Sequence, residues 1–202
     1  MSREARATQR EAFERRVWRL ALLLTGDADG ASKTLTAVAR TARDLARINA
    51  VRLDHLAVLH SREVMAQKRR RRAGADDVPL PEGLAARTLG ALMEMKPQAR
   101  EAWVLTRIDE LDEIHVARAM DASKTASANF YGAADTLIRE RLDDDADAGV
   151  QALREWATSF DPDPWLLIHR ERVKRWRRIK LVAALVFVGL VVLVGVIIAA
   201  TV

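Results

Sequence analysis

The sequence predicts an all-α protein: two small helical units joined by a linker, then a stem and one transmembrane helix. Three observations lead there. Only 9 Gly and 5 Pro occur in 202 residues rich in Ala, Leu and Arg, which favours helix over sheet. Apolar residues recur at three-to-four spacing, and no stretch alternates as a half-buried strand would. Residues 181–202 carry no charge.

The elements follow in order. Residues 3–24 place Phe13, Val17, Leu20, Ala21 and Leu24 on one helical face and stop at Thr25-Gly26-Asp27. Residues 31–48 repeat the pattern through Leu35, Val38, Ala39, Ala42 and Leu45. Residues 53–72 continue it with Leu56, Leu59, Val64 and Met65, ending in five adjacent cations, Lys68, Arg69, Arg70, Arg71 and Arg72. Two prolines and two glycines make 73–83 a linker. In the second unit, 84–95 is a helix, Pro97 opens the next to about residue 108, 109–120 is a third, and Ser123 is the N-cap of a fourth to residue 142. An acidic break at 143–149, a short helix at 150–159 and an Asp-Pro-Asp-Pro hinge lead into the stem. The domains are thus 1–72, the linker 73–83, 84–142, a break and stem over 143–180, and the span 181–202.

Composition excludes several classes. Zero Cys removes disulfide scaffolds and thiolate metal sites, and four scattered His make a histidine metal cage improbable. No Gly-rich phosphate loop, HExxH or nucleophile elbow is present, so neither an enzyme nor a cofactor is expected. His55, His60 and His115 are expected on helix surfaces, and the Asp143–Asp147 carboxylates lack the glycine and distant Glu of a calcium loop.

The uncharged 22 residues, as a helix, reach about 33 Å, enough for a hydrocarbon core of about 30 Å. Their C-terminal position does not suit a signal peptide. The preceding stem holds Arg170, Arg172, Lys174, Arg175, Arg177, Arg178 and Lys180 against Glu171. This asymmetry predicts a single-pass inner-membrane protein with its N-terminal 180 residues in the cytoplasm. Trp165 and Trp176 are expected near the headgroups, and the cations against anionic lipid.

The unit 111–142 has helix-turn-helix proportions, two short helices joined at Asp121-Ala122. Ile114, Ala117 and Met120 are expected to face the core from the first, and Phe130, Ala134, Leu137 and Ile138 from the second. The candidate DNA contacts are Ser123, Lys124, Thr125, Ser127 and Asn129, with Asn129 suited to adenine and Ser127 to a phosphate. From residue 84 to 142 there are eight cations and nine anions, about −1, which is thin for a duplex reader. The run Lys68–Arg72 has three readings: a DNA contact, a lipid contact, or a solvated helix end.

Over roughly residues 16–142 the chain resembles the extracytoplasmic-function group of bacterial RNA polymerase sigma factors. Leu20-Ala21-Leu22-Leu23-Leu24-Thr25-Gly26-Asp27 matches that family's Leu-Ala-x(4)-Gly-Asp motif. The basic run Lys68 to Arg72 is similar to the end of its promoter-melting helix, and Leu89 and Leu92 through Arg100-Glu101 are similar to its Leu-x-x-Leu-x(4)-Arg-Glu stretch. Glu113-Ile114 and the helix opening at Ser123 follow in family order. The resemblance implies docking on RNA polymerase core and binding of promoter DNA, with an anti-sigma or membrane protein as a further partner. Departures from it are many. The family's acidic docking stretch is here Ala31-Ser32-Lys33-Thr34-Leu35-Thr36, its melting-helix Asn and Asp positions fall on Arg62 and Ala66, and its Thr-Val-Lys-Ser-Arg falls on Ala126-Ser127-Ala128-Asn129-Phe130. Two functions are therefore expected in competition, ahead of an unrelated helical membrane adaptor: a membrane-anchored sigma-like transcription regulator, or a membrane-bound protein-interaction module that keeps the fold without reading DNA.

Overall fold

A computed structural model describes residues 2–42, 44–68, 81–159 and 162–167, together with 170, 171, 174, 175, 178, 179 and 182. All regular elements among them are helical. They are α1 (Arg3–Thr25), α2 (Ala28–Thr41), a 3-10 turn (Leu45–Arg47), α3 (Ala50–Lys68), α4 (Gly83–Glu94), α5 (Pro97–Trp103) continuing as a π turn (Val104–Ile108), α6 (Glu113–Met120), α7 (Lys124–Leu142), a 3-10 turn (Asp143–Asp145) and α8 (Ala146–Ser159).

Local chemistry sets these boundaries. Gly26 at φ 78° closes α1, and its N–H donates to the Leu22 carbonyl. Asp27 Oδ1 accepts the Gly30 N–H at 2.7 Å, so α2 starts three residues before the apolar pattern suggested. That helix ends at Thr41 because Asp44 takes the Ala46 N–H and starts a separate turn. Pro97 stands in the first turn of α5 as expected. The helix expected over 109–120 begins only at Glu113, because Glu110 turns to φ 54° and Asp112 caps Ile114 and His115. Helix resumes at Ala146, so the acidic break shrinks to one 3-10 turn.

The chain divides into two compact units, Met1–Leu166 and Leu167–Val202. In the first, α1, α2 and α3 pack on one another, as do α4 with α8, α5 with α7, and α6 with α7. α3 also lies on α6, and the segments expected as two helical units contribute to one core. The second half of α1 is apolar nearly all round: Val17, Trp18, Leu20, Ala21, Leu22, Leu23 and Leu24 are each 3% exposed or less. A helix of that kind belongs inside. Trp103, Leu105, Met120, Ile138 and Leu153 complete the core from the other side, each worth about 1.5–3 kcal/mol of burial.

Of the second unit the structure describes eight scattered positions, among which Lys174 pairs with Glu171 at 2.8 Å. No helix of the described residues is long and apolar enough to cross a membrane. The expected span 181–202 lies outside them except for Val182, as do Arg172, Trp176, Arg177 and Lys180 of the stem and Arg69, Arg70, Arg71 and Arg72 of the basic run.

Candidate nucleic-acid interface

α6 and α7 form a helix-turn-helix with a three-residue turn. Asp121 adopts the left-handed conformation (φ 53°, ψ 51°), and the Ala122 N–H reaches back to the Ala117 carbonyl at 2.9 Å. This is a Schellman closure with Asp in the place glycine usually takes. Ser123 then starts α7, its Oγ accepting the Ala126 N–H at 3.1 Å. Ser123 is thereby the N-cap the sequence predicts, and its oxygen is engaged by its own helix.

The residues expected to meet DNA divide into two sets. Lys124, Thr125 and Asn129 are exposed. Ser127 is 3% exposed, and its Oγ donates to the Lys124 carbonyl at 2.9 Å, so the expected phosphate contact is corrected: this hydroxyl faces inward. The reason is the register of α7, which buries Ser127, Ala134, Ile138 and Leu142 along one edge. Phe130 and Leu137 are only partly buried. On α6, Ala117 and Met120 are buried as expected, Ile114, expected with them, is 43% exposed, and Val116 and Ala119 are buried in addition.

The outward face of α7 carries Thr125, Ala128, Asn129, Gly132, Ala133 and Thr136, all exposed and none charged. The cations lower on α7 are engaged by acids: Arg139 with Asp135 at 2.9 Å and Arg141 with Glu94 at 2.7 Å. On the helix-turn-helix, Arg118 and Lys124 are the other exposed cations.

Charge is concentrated instead where α3 meets α5 and α6. Arg62 Nε lies 2.8 Å from Glu101 Oε1, its Nη2 lies 2.5 Å from Glu101 Oε2, and Nη2 also donates to the Met120 carbonyl at 3.1 Å. Glu101 is 2% exposed. Burial pushes its carboxyl above the ordinary range, and the Arg62 guanidinium pulls it back. His55 Nδ1 stands 3.2 Å from the Ala119 carbonyl, so α3 satisfies two carbonyls at the end of α6. His55 is therefore half-buried at a contact, not on a free surface; His60 is engaged by Thr41 and Glu63.

Arg100, 3% exposed, donates to the carbonyls of Leu24, Leu92, Met93 and Met95 and so closes the ends of α1 and α4 together. A third charged group joins the same seam. Arg16 forms a two-pronged pair with Asp54 at 2.8 and 2.9 Å, with Asp109 at 3.8 Å. Burial pushes the Asp109 carboxyl up to about 6, against the pull of Arg16 and with the push of Asp54. Sequence reasoning missed Arg62, Arg16, Asp54 and Asp109 as seam residues. Their only signal was charge inside apolar helical runs.

The expected membrane-facing residues also divide. Trp165 is corrected: its ring centroid lies 5.6 Å from that of Trp18, against the core. Residues 162–166 lie on α1, with Asp163 paired to Arg15 and Leu166 buried. Lys174, Arg175 and Arg178 are exposed and Arg170 is half-buried. Among the described residues no group of His, Asp and Glu is placed to hold a metal ion. No protein-family model and no curated protein matches the chain.

Proposed function

We propose that the chain is a sigma-factor-like regulator of transcription held at the inner membrane by residues 181–202. The reading is supported by one observation above others: a capped and closed helix-turn-helix that leaves Lys124, Thr125 and Asn129 exposed at the start of its second helix. In this mechanism the first helical segment docks on RNA polymerase core, and Lys68 with the arginines that follow it engages the promoter. α7 enters the major groove of the upstream element. The membrane tether limits access to the chromosome. The full chain in lipid nanodiscs, titrated with core polymerase and with promoter-length duplexes over a range of salt, tests this. Polymerase binding together with a salt-dependent, sequence-selective DNA complex is expected, and absence of both overturns it.

A second reading is favoured by a specific feature, the uncharged outer face of α7 with Ser127 turned inward. Specific readers combine several base and phosphate contacts and discriminate by about 4–10 kcal/mol. On this reading the helix-turn-helix serves a protein partner, an anti-sigma protein or a membrane protein, and the same titration gives polymerase or protein binding without sequence selection. Both readings require an integral membrane protein. Carbonate or high-salt washing leaves it in the pellet; release by salt alone assigns the attachment to the stem cations and not to the span.

A further inference from the structure

After the helix-turn-helix the chain turns twice across the compact unit. α8 first runs along α4. Gly149 marks the closest approach, where a Cβ would come within 2.5 Å of Thr88 Oγ1 and 2.8 Å of Leu142 Cδ1. Val150, Leu153 and Ala157 are buried there. Arg107 binds Asp147 at 2.5 Å and Arg154 binds Glu110 at 2.7 Å, tying α8 to the π turn and the loop after it.

Residues 162–166 then seat on α1. The Pro162 carbonyl accepts the N–H groups of Trp165 and Leu166 at 3.0 and 2.9 Å, making a turn that presents the next residues together. Asp163 Oδ1 lies 2.6 Å from Arg15 Nη2, Trp165 packs on Trp18 with the rings tilted 37°, and Leu166 is fully buried. One short stretch of chain therefore grips α4 with one end and α1 with the other. Elsewhere α1 meets α4, α5 and the π turn only lightly.

We propose that α8 and residues 162–166 together form an intramolecular brace, and that the α1 face around Arg15 and Trp18 is a docking surface for an acidic–aromatic–aliphatic peptide, occupied in cis by Asp163-Pro164-Trp165-Leu166. The brace fixes α1–α3 against the helix-turn-helix. A partner presenting the same chemistry competes for the face and releases the brace, leaving the seam to Arg62–Glu101, to Arg100 on the Leu24 carbonyl, to Arg16–Asp109 and to the packing of α3 on α6. The proposal goes beyond the transcription reading and stands whether or not the chain binds DNA.

The chain has no cysteine, so a labelled pair is clean. Ala66→Cys on α3 and Ala133→Cys on α7, both at exposed positions, carry spin labels in the full chain in nanodiscs. One narrow distance is expected. With Trp165→Ala and Leu166→Ala added, a longer-distance population of roughly half or more appears. A synthetic peptide of residues 159–168 added to the labelled chain without those replacements produces the same longer-distance population, and the same peptide with both residues replaced by Ala does not. Arg15→Glu gives a smaller shift that Asp163→Arg reverses. If the double replacement costs the helical signal itself, the Arg15 and Asp163 variants alone decide. An unchanged distance distribution in the variants that stay folded overturns the brace, as does a peptide without effect on the parent chain or an Arg15→Glu shift that Asp163→Arg does not reverse.

Discussion

α5 and α7 lie against each other in the same bundle and treat charge in opposite ways. α5 turns Arg100 and Glu101 inward, where each is 3% exposed or less, while α7 turns outward a face of Thr, Ala, Asn and Gly. The usual arrangement of a DNA reader is the reverse, with apolar groups inside and cations on the outer helix. The difference shows where this fold uses its arginines. Of the cations between residues 84 and 142, Arg87, Arg100, Arg107, Arg139 and Arg141 are bound to carboxylates or carbonyls within the molecule. Lys96, Arg118 and Lys124 are the exposed remainder. A near-neutral charge count alone would not distinguish internal use from surface use.

The contrast breaks most completely at Arg100. Arg100→Met removes the donor shared by the carbonyls of Leu24, Met93 and Met95 and leaves Leu92 with the Met95 N–H alone, so a loss of about 3–4 kcal/mol is expected in urea unfolding of the full chain in detergent. A loss under 1 kcal/mol would mean that water or another donor replaces it. Arg100→Lys should recover only part, because a point charge cannot serve carbonyls spread around a planar fork.

The α5 side of the seam comes next. Glu101→Gln leaves Arg62, a third exposed, without its carboxylate, and about 1–3 kcal/mol of destabilisation is expected. Arg62→Met together with Glu101→Gln should cost less than the sum of the single changes. Strict additivity in that double-mutant cycle would remove the pair as a determinant of the seam.

A smaller effect of opposite sign belongs to Asp109. Its folded pKa of about 6 exceeds the ordinary 3.8, so the folded state binds the proton more tightly and stability rises as pH falls through 6 toward 3.8. Above pH 6 the cost of burying the charge is fully present. Asp109→Asn should therefore stabilise by about 1–2 kcal/mol at pH 8 and by little at pH 4. A pH-independent effect would point to packing, not ionisation.

The least perturbing change sharpens the outer face. Lys124→Ala should leave the helical spectrum and melting point unaltered and lower the salt slope of DNA binding by about one. Ser127→Ala, whose hydroxyl bonds within its own helix, should leave that slope as it was. Selection from random duplexes should give discrimination below about 1–2 kcal/mol; a sharp consensus lost on Lys124→Ala would restore α7 as a specific reader.

Much of the helical layout was legible in the sequence because the signals are local. Gly26 and Ser123 stop and start helices through bonds within four residues of themselves, and Pro97 starts one through its fixed φ. Local signals also misled where a nearby side chain competed: Asp44 and Asp112 moved helix ends by capturing backbone N–H groups that periodicity alone assigned to a continuing helix. The candidate site was legible in its position and not in its facing. Ser127 was expected to hold a phosphate from the start of the second helix, but α7 is rotated so that Ser127 closes against the bundle.

By itself, then, the sequence determined the all-α class, the helix-turn-helix with its Ser123 cap, and the partition of charge that leaves α7 poor in cations. These depend on residue type and short-range spacing. Tertiary structure alone decided that Arg62 of α3 meets Glu101 across 39 residues, that Arg16 serves both Asp54 and Asp109, and that Trp165 packs on Trp18. Such pairings need two distant segments brought together, and the burial that makes an arginine–carboxylate pair or a tryptophan contact count is a property of the assembled core, not of any window of the chain.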